Sequence, residues 1–480
     1  MFAGFGDPVV PFLAGLFVVS EGLDSSGVTG WAGQQLIARA GSRSRLAVLL
    51  LLFVAVLCAL ITPNGAVAAL LPMAVLMALR IGRPSSQLLM PLAFAASVGS
   101  LLVLTGSPVN LLVSEASVAS GHGGFGFFAF AVAGVPLVIG AVAAGVLLGP
   151  RLLAVRHPRA LTADLSRQRT LAAQYQVDES VLRRHDVPTG LLSRESGVAE
   201  AVIPPRSELV GETFFPGMIT SSGDLIVLAI QRAGQDLEDR QTVLEVGDTL
   251  LLGGSWGALD ENLEGPEVLV VDPPEAGRRQ AVPLGPGSKR ALAVLSGTVV
   301  LLATGVVPAA VASVLGASAT VVVGVVTVDQ AYRSVSWTTV VLIGAMIAVS
   351  TAVKDTGAAR QIADALVDLV GGAGPYALLA GLFVLTATLG QLISNTATAL
   401  IVIPIAVSAA NQLGVSPRPV LMSVAVAAAA SFLTPVATPA NLMIMGPGGY
   451  RFGDYWKLGL VLMALFFVVS VFLVPAVWKF

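Results

Sequence analysis

The chain has 480 residues, of which 55% are hydrophobic and only 12% are charged, and its mean hydropathy is +0.84. A soluble globular protein does not tolerate so apolar a composition, so the sequence indicates a membrane protein. The 27 basic and 29 acidic residues nearly cancel, which gives no electrostatic reason to expect a nucleic-acid partner. Cys58 is the only cysteine, which excludes an intrachain disulfide and any cysteine metal cluster.

Apolar segments of spanning length follow one another along the chain. Judged against the ~20 residues that cross a bilayer, the sequence predicts spans at about 8–23, 85–118, 127–150, 291–306, 308–328, 335–353, 417–446 and 455–478. Two further stretches, 46–79 and about 375–410, are too long for one crossing and carry polar residues near the middle. Each of these predicts a helical hairpin. The first residues lack a basic region and a cleavage site, so they predict a membrane segment rather than a signal peptide.

Most charged residues lie between Arg151 and Arg290, which predicts a soluble domain inserted between two membrane portions. The second portion has two spans, 291–306 and 308–328, for which the first has no counterpart. The first portion is expected either to be a natural short form or to be incomplete at its N-terminal side because its start is assigned too late. The predicted organisation is a first membrane repeat (1–152), a linker (153–196), a soluble domain (197–263), a second linker (264–288) and a second membrane repeat (289–480).

The two membrane portions repeat one another. Residues 16–27 match residues 346–357 at an offset of 330, and at an offset of 331 Asn64 falls on Asn395 and residues 106–111 fall on 437–442. With the insert in the cytoplasm, the spans at 8–23 and 335–353 cross in opposite directions, so the repeats are predicted to be inverted. The basic residues that flank the first hairpin place both of its ends in the cytoplasm, whereas the second hairpin is predicted to open outward.

Four polar interruptions lie at membrane depth. Two are in the hairpins, at 62–65 and 394–396, and two are within long spans, at 105–110 and 434–441. Non-helical backbone survives there only when it lines a cavity or binds something. Kinks and close helix contacts are the alternative for any single interruption, but the repeat-related positions favour binding. We expect one hairpin interruption to pair with one span interruption in each repeat.

The residues at the interruptions are chemically neutral. Amide, hydroxyl and unwound carbonyl oxygens suit a weakly bound cation such as Na⁺, while the N-termini of half-helices present N–H groups to an anion. No Asp, Glu or His lies in the middle of a predicted span, which disfavours a proton relay. His122, His157 and His185 are isolated in sequence and predict no other metal site.

Three motifs carry a family resemblance: SNTATALIVIPIA (394–406), GSPVNLL (106–112) and ATPANLM (437–443). They resemble the divalent anion:sodium symporter family of the ion transporter superfamily, whose members carry dicarboxylates, citrate or sulfate. The resemblance implies anion contacts from Thr62, Asn64, Ser394, Asn395, Thr396, Pro108 and Pro439. It implies sodium contacts from Asn64, Gly106, Ser107, Asn110, Asn395, Ala437, Thr438 and Asn441. Pro63 and Gly65 stand where the family has Ser and Thr, so Thr62 is expected to supply a hydroxyl in their place.

The insert has short apolar runs separated by Gly, Pro and Asp, which predict strands with one helix after Gly211. SELVG (207–211) and EVGD (245–248) resemble the C-terminal domain of the regulator-of-potassium-conductance type (TrkA-C, RCK-C). That resemblance implies a small α/β domain that pairs with copies of itself and gates the attached transporter, with an unidentified small ligand. An unliganded spacer or dimer-forming module is the alternative.

The sequence therefore predicts an all-α polytopic membrane protein with two inverted repeats, re-entrant hairpins and broken helices, and an inserted small α/β domain. The predicted function is Na⁺-coupled symport of a small divalent anion by alternating access, in a homodimer of the inner (plasma) membrane with a cytoplasmic insert. No cofactor and no enzymatic activity are expected. A cation transport protein regulated through the insert and an anion-binding membrane sensor remain as alternatives. A channel is disfavoured because no selectivity-filter loop is present.

Overall fold

The computed structural model describes residues 2–28, 31, 35, 43–80, 84–156, 196–220, 222–232, 235–237, 241–263, 267–270, 287–370 and 374–480. The chain divides into two compact units. The membrane unit comprises 1–159 and 286–480, and the inserted unit comprises 160–285. The predicted linkers at 153–196 and 264–288 lie largely outside the described residues.

Helices occupy every predicted span of the first half. They are α1 (Val9–Ser25), α2 (Arg43–Leu60), α3 (Pro63–Arg80), α4 (Ser86–Gly99), α5 (Pro108–Ala119) and α6 (Ala131–Leu152). Helices α2 and α3 form the first hairpin, and residues 61–65 are named here the first tip. Residues 100–107 separate α4 from α5 and contain only a short 3-10 turn. This segment is the first break.

The second half of the membrane unit has the predicted helices and two more. They are α8 (Ser288–Thr304), α9 (Ala309–Val322), α10 (Val328–Ser334), α11 (Trp337–Asp355), α12 (Ala358–Val370), α13 (Pro375–Leu389), α14 (Asn395–Gln412), α15 (Pro417–Ala428), α16 (Pro439–Gly448) and α17 (Phe452–Val477). Residues 390–397 form the second tip, between α13 and α14. Residues 429–438 form the second break, between α15 and α16. Helices α10 and α12 were not predicted from the sequence.

Within the described residues, three helices are long and apolar enough to cross a bilayer, namely α6, α11 and α17. Shorter apolar helices include α4, α9, α13 and α15. Shortness is expected where a span is interrupted, because a half-helix that ends at a break crosses only part of the bilayer.

One order of elements occurs twice: hairpin, half-helix, break, half-helix and long helix. The long helices carry matching π-helical turns, Ala144–Leu148 in α6 and Val469–Leu473 in α17. Each turn is followed by a proline, Pro150 or Pro475, which lacks the N–H that a regular helix would use. The opposite orientation of the two halves across a membrane stays a prediction.

Glycines bring each long helix against the backbone of a break. A Cβ on Gly134 of α6 would lie 2.3 Å from the carbonyl oxygen of Leu101, and a Cβ on Gly459 of α17 would lie 2.4 Å from that of Phe432. Leu101 and Phe432 are the second and fourth residues of their breaks. Only glycine permits such close approaches. The backbone of each break therefore packs directly against a long helix.

The inserted unit contains two sheets. Strands β1 (Ser196–Val202), β3 (Leu225–Arg232), β4 (Gln235–Asp236), β6 (Thr249–Ser255) and β7 (Leu269–Val270) form a five-stranded antiparallel sheet in the order β4-β3-β6-β1-β7. Strands β2 (Thr213–Phe214) and β5 (Thr242–Val243) form a two-stranded pair. Helix α7 (Trp256–Leu263) follows β6 and packs on the same apolar core as Phe214 and Leu250.

The helix that was predicted after Gly211 does not follow that glycine directly. The residues after Gly211 form β2 and turns, and the helix of the described part of this unit is α7. Gly211 has a φ of +91°, which ends the preceding turn and directs the chain into β2. Short apolar runs do not distinguish a helix from a strand, and here the pairing of β2 with β5 decides.

Candidate functional site

Asn110 and Asn441 make the same pair of hydrogen bonds. Asn110 Nδ2 donates to the carbonyls of Ser100 and Val103, both at 2.9 Å. Asn441 Nδ2 donates to the carbonyl of Ser431 at 2.9 Å and to that of Thr434 at 3.2 Å. In both halves of the membrane unit the acceptors lie ten and seven residues before the asparagine. Each asparagine therefore closes its break onto the helix that follows it.

The side-chain oxygens of these asparagines have no hydrogen-bond partner among the described residues. Both residues are fully buried. Because the two hydrogens of each Nδ2 are used by carbonyls, the amide cannot turn around, and Oδ1 must remain an acceptor. An acceptor buried without a donor costs free energy, on the order of 1 to 3 kcal/mol. A cation bound at each asparagine would give its side-chain oxygen a partner.

Local sequence places each asparagine. Ser107 and Thr438 are extended N-cap residues whose hydroxyls accept from backbone N–H groups, that of Val109 and that of Asn441, at 3.3 and 3.2 Å. A proline follows at the first helical position, where its missing N–H costs nothing. The asparagine then occupies the third position, from which a side chain points back toward the N-terminus and over the break.

The two tips begin their second helices with the same cap. Thr62 Oγ1 accepts from the N–H of Gly65, and Ser394 Oγ accepts from the N–H of Ala397, each at 3.3 Å. Thr62 thus supplies the predicted hydroxyl. The caps pair Thr62 with Ser394, so Asn64 pairs with Thr396 and not, as the sequence offset indicated, with Asn395. The offset shifts because residues 81–85 separate α3 from α4 whereas only residues 413–416 separate α14 from α15.

Both tip asparagines form hydrogen bonds in the second half of the membrane unit, one with the second break and one with the helix turn that follows it. Asn395 Oδ1 accepts from the hydroxyl of Ser431 at 2.5 Å, which matches the expected pairing of a tip with its own break. Asn64 Oδ1 accepts instead from the N–H of Ala440, at 3.2 Å. Ala440 lies in the first turn of α16, directly after the second break. The first tip therefore contacts the second half of the membrane unit.

The remaining predicted residues line the breaks or tips. Gly106 is buried, and a Cβ there would lie 2.3 Å from the carbonyl oxygen of Ser100. Its counterpart Ala437 is buried and carries a Cβ, so the second break has room for one more methyl group. Thr396 and Pro108 are half-buried, and Pro439 is exposed.

Two residues of the site were missed by the sequence analysis. Ser431 connects Asn395 to Asn441, and Gln391 connects the second tip to the second break. Gln391 could have been found, because it is a lone amide in the apolar run LGQLI directly before Ser394. Ser431 carried no comparable signal.

The described residues contain no group of three or more His, Cys, Asp or Glu side chains that could hold a metal ion. The oxygens gathered around the breaks are amides, hydroxyls and carbonyls. Such neutral donors bind a hard cation weakly enough to release it, as a transport cycle requires.

Apolar helices, broken half-helices and paired polar breaks define a helical membrane transporter. The sequence profile of the citrate transporter family matches residues 1–410 and, separately, residues 299–480. The chain belongs to this family. The two matches overlap over residues 299–410.

Comparison with individual proteins gives the same class. The chain is 30% identical to an uncharacterized transporter, YfbS, of Escherichia coli (strain K12), over 568 aligned positions that cover 100% of this chain and 92% of that protein. It is 27% identical to the sodium/sulfate cotransporter 1 of Chlamydomonas reinhardtii, over 63% of this chain and 34% of that one. The fold is similar to the crystal structure of the Alcanivorax borkumensis YdaH transporter, with a TM-score of 0.51 at 17% identity, covering 99% of this chain and 87% of that one.

Proposed function

We propose that the protein is a secondary active transporter that couples Na⁺ to the symport of a small divalent anion, a dicarboxylate, citrate or sulfate, by alternating access. One observation carries the proposal: Asn110 and Asn441 each hold a break closed and each leave a buried, unpartnered side-chain oxygen. The name of the family and the sodium and sulfate of the Chlamydomonas relative support the same choice of ions.

The cation sites follow from the breaks. The first is built around Asn110 with Gly106 and Ser107, and the second around Asn441 with Ala437 and Thr438. A Na⁺ ion at each would take the orphaned Oδ1 together with unwound carbonyls, which removes the cost of burying that oxygen. The tip asparagines, Asn64 and Asn395, complete these sites in the proposal.

The anion site lies at the tips. Asn395 directs its oxygen to Ser431, so its Nδ2 hydrogens are left to donate to an anion oxygen. Ser394 and Thr396 add hydroxyls. From the first tip Thr62 adds a hydroxyl and Asn64 adds its amide N–H groups, and Pro108 and Pro439 border the site. Helices α3 and α14 also direct the positive ends of their dipoles toward this anion.

Coupling follows from shared residues. Asn395 contacts Ser431, whose carbonyl is held by Asn441, so a cation that orders Asn441 also orders the anion donor. A ligand shifts a conformational equilibrium by its differential affinity for the two states. Binding of both ions is proposed to favour the conformation in which the tips pack against the second break. The protein could then change from being open on one side of the membrane to being open on the other.

The wider assembly belongs to the same proposal. The two halves are inverted repeats, the inserted unit is a cytoplasmic RCK-C-like domain, and two copies of the chain form a dimer in the inner membrane. The matching helix order and paired breaks support the repeats. The small α/β composition of the inserted unit supports the second assignment, and its ligand is unassigned.

The test uses proteoliposomes that contain the purified full-length protein. Labelled succinate, citrate or sulfate should accumulate under an inward Na⁺ gradient, and an equal K⁺ gradient should not replace it. Uptake that is the same with and without Na⁺ would overturn the coupling. Absence of uptake of all three anions by protein that remains folded would overturn the substrate class.

A further inference from the structure

Gln391 connects the second tip to the second break through its side-chain amide. Nε2 donates to the carbonyls of Ala387 and Ala430, each at 3.0 Å, and Oε1 accepts from the N–H of Leu433 at 2.9 Å. The backbone carbonyl of Gln391 also accepts from Thr434 Oγ1 at 3.2 Å. The residue is buried, with 9% of its surface exposed. One tip residue thus satisfies two backbone groups of the break.

The first repeat closes the equivalent turn without a side chain. At the offset of 331, Gly99 corresponds to Ala430 and Leu102 corresponds to Leu433. In the first repeat the N–H of Leu102 donates directly to the carbonyl of Gly99, at 3.0 Å. In the second repeat the Gln391 amide stands between the two corresponding groups. Ala59, which the helix starts place opposite Gln391, is apolar and cannot make this bridge.

The hydrogen bonds from Gln391 to Ala430 and Leu433 lie on either side of Ser431. This serine lies between Ala430 and Leu433, and it contacts both asparagines of the second site: its carbonyl accepts from Asn441, and its hydroxyl donates to Asn395. The position of Ser431 therefore depends on where the second tip packs against the second break. A displacement of the tip must either break the Gln391 bonds or move Ser431 with it.

We propose that Gln391 is a positioning residue that couples cation binding at Asn441 to anion binding at the second tip. It acts by holding Ser431 against Asn395 and Asn441. The inference rests on the proposed function. The two cation sites then differ in how strongly they are coupled to a tip. The second site is coupled to the second tip through Gln391, whereas the first break is closed by its own backbone.

The test measures the coupling between the two ions. Gln391→Met keeps the length of the side chain and removes its three hydrogen bonds. Gln412→Met, at the exposed end of α14, is the matched control. The affinity of the purified full-length protein for labelled succinate, citrate and sulfate is measured at low and at saturating Na⁺. The ratio of the two affinities is the coupling factor.

We expect Gln391→Met to bind the anion at saturating Na⁺ while its coupling factor falls about 5- to 30-fold. Such a change corresponds to the loss of one or both of the hydrogen bonds that reach the break, those with Ala430 and Leu433. Gln412→Met should keep the wild-type factor. A wild-type coupling factor in folded Gln391→Met overturns the inference. Loss of anion binding at every Na⁺ concentration also overturns it, because Gln391 would then belong to the anion site itself.

A second variant covers the case in which Gln391→Met does not fold. Gln391→Glu keeps an acceptor for the N–H of Leu433 and loses the N–H donors to Ala387 and Ala430. Its coupling factor should therefore lie between the wild-type value and 1, the value without coupling. A wild-type factor in this variant overturns the inference. If wild-type anion binding itself ignores Na⁺, the proposed function fails and the inference with it, which is distinct from a change confined to Gln391 variants.

Discussion

The side-chain oxygen of Asn64 accepts a hydrogen bond from the backbone N–H of Ala440, 3.2 Å away, although 376 positions separate the two residues. This bond joins the first tip to the first turn of α16. Since Pro439 has no N–H, Ala440 is the first donor that α16 can offer. The tip of one half therefore caps the half-helix that follows the break of the other half, and the two halves are linked at the candidate site.

The first prediction concerns the tip asparagines. Replacing either half-buried asparagine, Asn64 or Asn395, by Leu removes a neutral oxygen from the candidate site. The Ala440 N–H then loses its acceptor, or the Ser431 hydroxyl loses the nearest of its acceptors. An unsatisfied polar partner costs on the order of 1 to 3 kcal/mol. Na⁺ affinity should then fall about 5- to 150-fold, since 1.4 kcal/mol is tenfold. A Na⁺ titration of anion binding measures the change.

Asn411→Leu is the matched control for both variants. Asn411 lies just beyond the predicted hairpin at about 375–410, a position that predicts a loop. In the structure it is exposed within α14, near the end of that helix. It should leave the titration unchanged. If the two tip variants behave like Asn411→Leu, the tips are structural kinks and the proposed mechanism is wrong.

The second prediction concerns Asn110 and Asn441. Replacing either by Ala leaves two break carbonyls without their donor and removes the orphaned oxygen. Each variant should bind Na⁺ more weakly and unfold more easily, by about 1 to 3 kcal/mol. Asn262→Ala, which removes a single bond to the carbonyl of Ala258 in the inserted unit, is the control for Na⁺ binding. Unchanged Na⁺ affinity in both break variants would exclude the asparagine oxygens as ligands.

The third prediction tests the close approach behind the breaks. Gly134→Ala and Gly459→Ala would place a Cβ within 2.3 and 2.4 Å of a break carbonyl, so the long helix or the break must move. Such overpacking costs about 1 to 3 kcal/mol. Gly297→Ala in α8 meets no atom within 4 Å and should be neutral or slightly stabilising. Thermal unfolding in detergent compares the three, and equal stability of all of them would contradict the packing.

The fourth prediction concerns pH and the inserted unit. Arg232 contacts the buried Asp248 carboxylate through Nε and Nη2, both at 2.8 Å. Burial alone would raise the pKa of Asp248, but the hydrogen bonds from Arg232 and from the N–H of Glu245, with the guanidinium charge, hold it below its ordinary value. A lowered folded-state pKa gives stability that is present above the unfolded pKa, about 3.9, and is lost as pH falls through the folded value.

Asp248→Asn removes this ion pair while keeping the shape of the side chain. The variant should be less stable near neutral pH, by about 1 to 3 kcal/mol for a hydrogen bond to a charged group. The free energy of unfolding of wild type should decrease below about pH 4 as Asp248 is protonated, and the variant should not show this decrease. Unfolding of the inserted unit, followed across an acid titration of the full chain, measures both. Parallel acid profiles for the two proteins would show that the pair contributes no pH dependence.

The fifth prediction concerns removal of the insert. Both tips and both breaks lie outside residues 160–285. Deletion of residues 160–285 should therefore leave anion and Na⁺ binding intact and change only transport rate or regulation. The narrower deletion of 197–263 should aggregate more, because it leaves β7 without its partner β1. Loss of both binding activities in a well-folded 160–285 deletion would place part of the site in the inserted unit.

The sequence by itself determined the membrane class, the span positions and the four interruptions. These are local properties: apolar runs must lie in lipid, and proline with a Ser or Thr cap fixes where a helix restarts. The positions of Asn110 and Asn441 were found for the same reason, since each stands at a fixed distance after its cap.

Only the tertiary structure decided which groups meet. The contact of Asn64 with Ala440, the insertion of Gln391 between Ala430 and Leu433, and the one-residue shift that pairs Asn64 with Thr396 all depend on how distant helices pack. Lipid is as apolar as the side chains it surrounds, so helix pairing in a membrane leaves little hydrophobic pattern in the sequence. Packing and hydrogen-bond geometry between residues far apart along the chain make that choice.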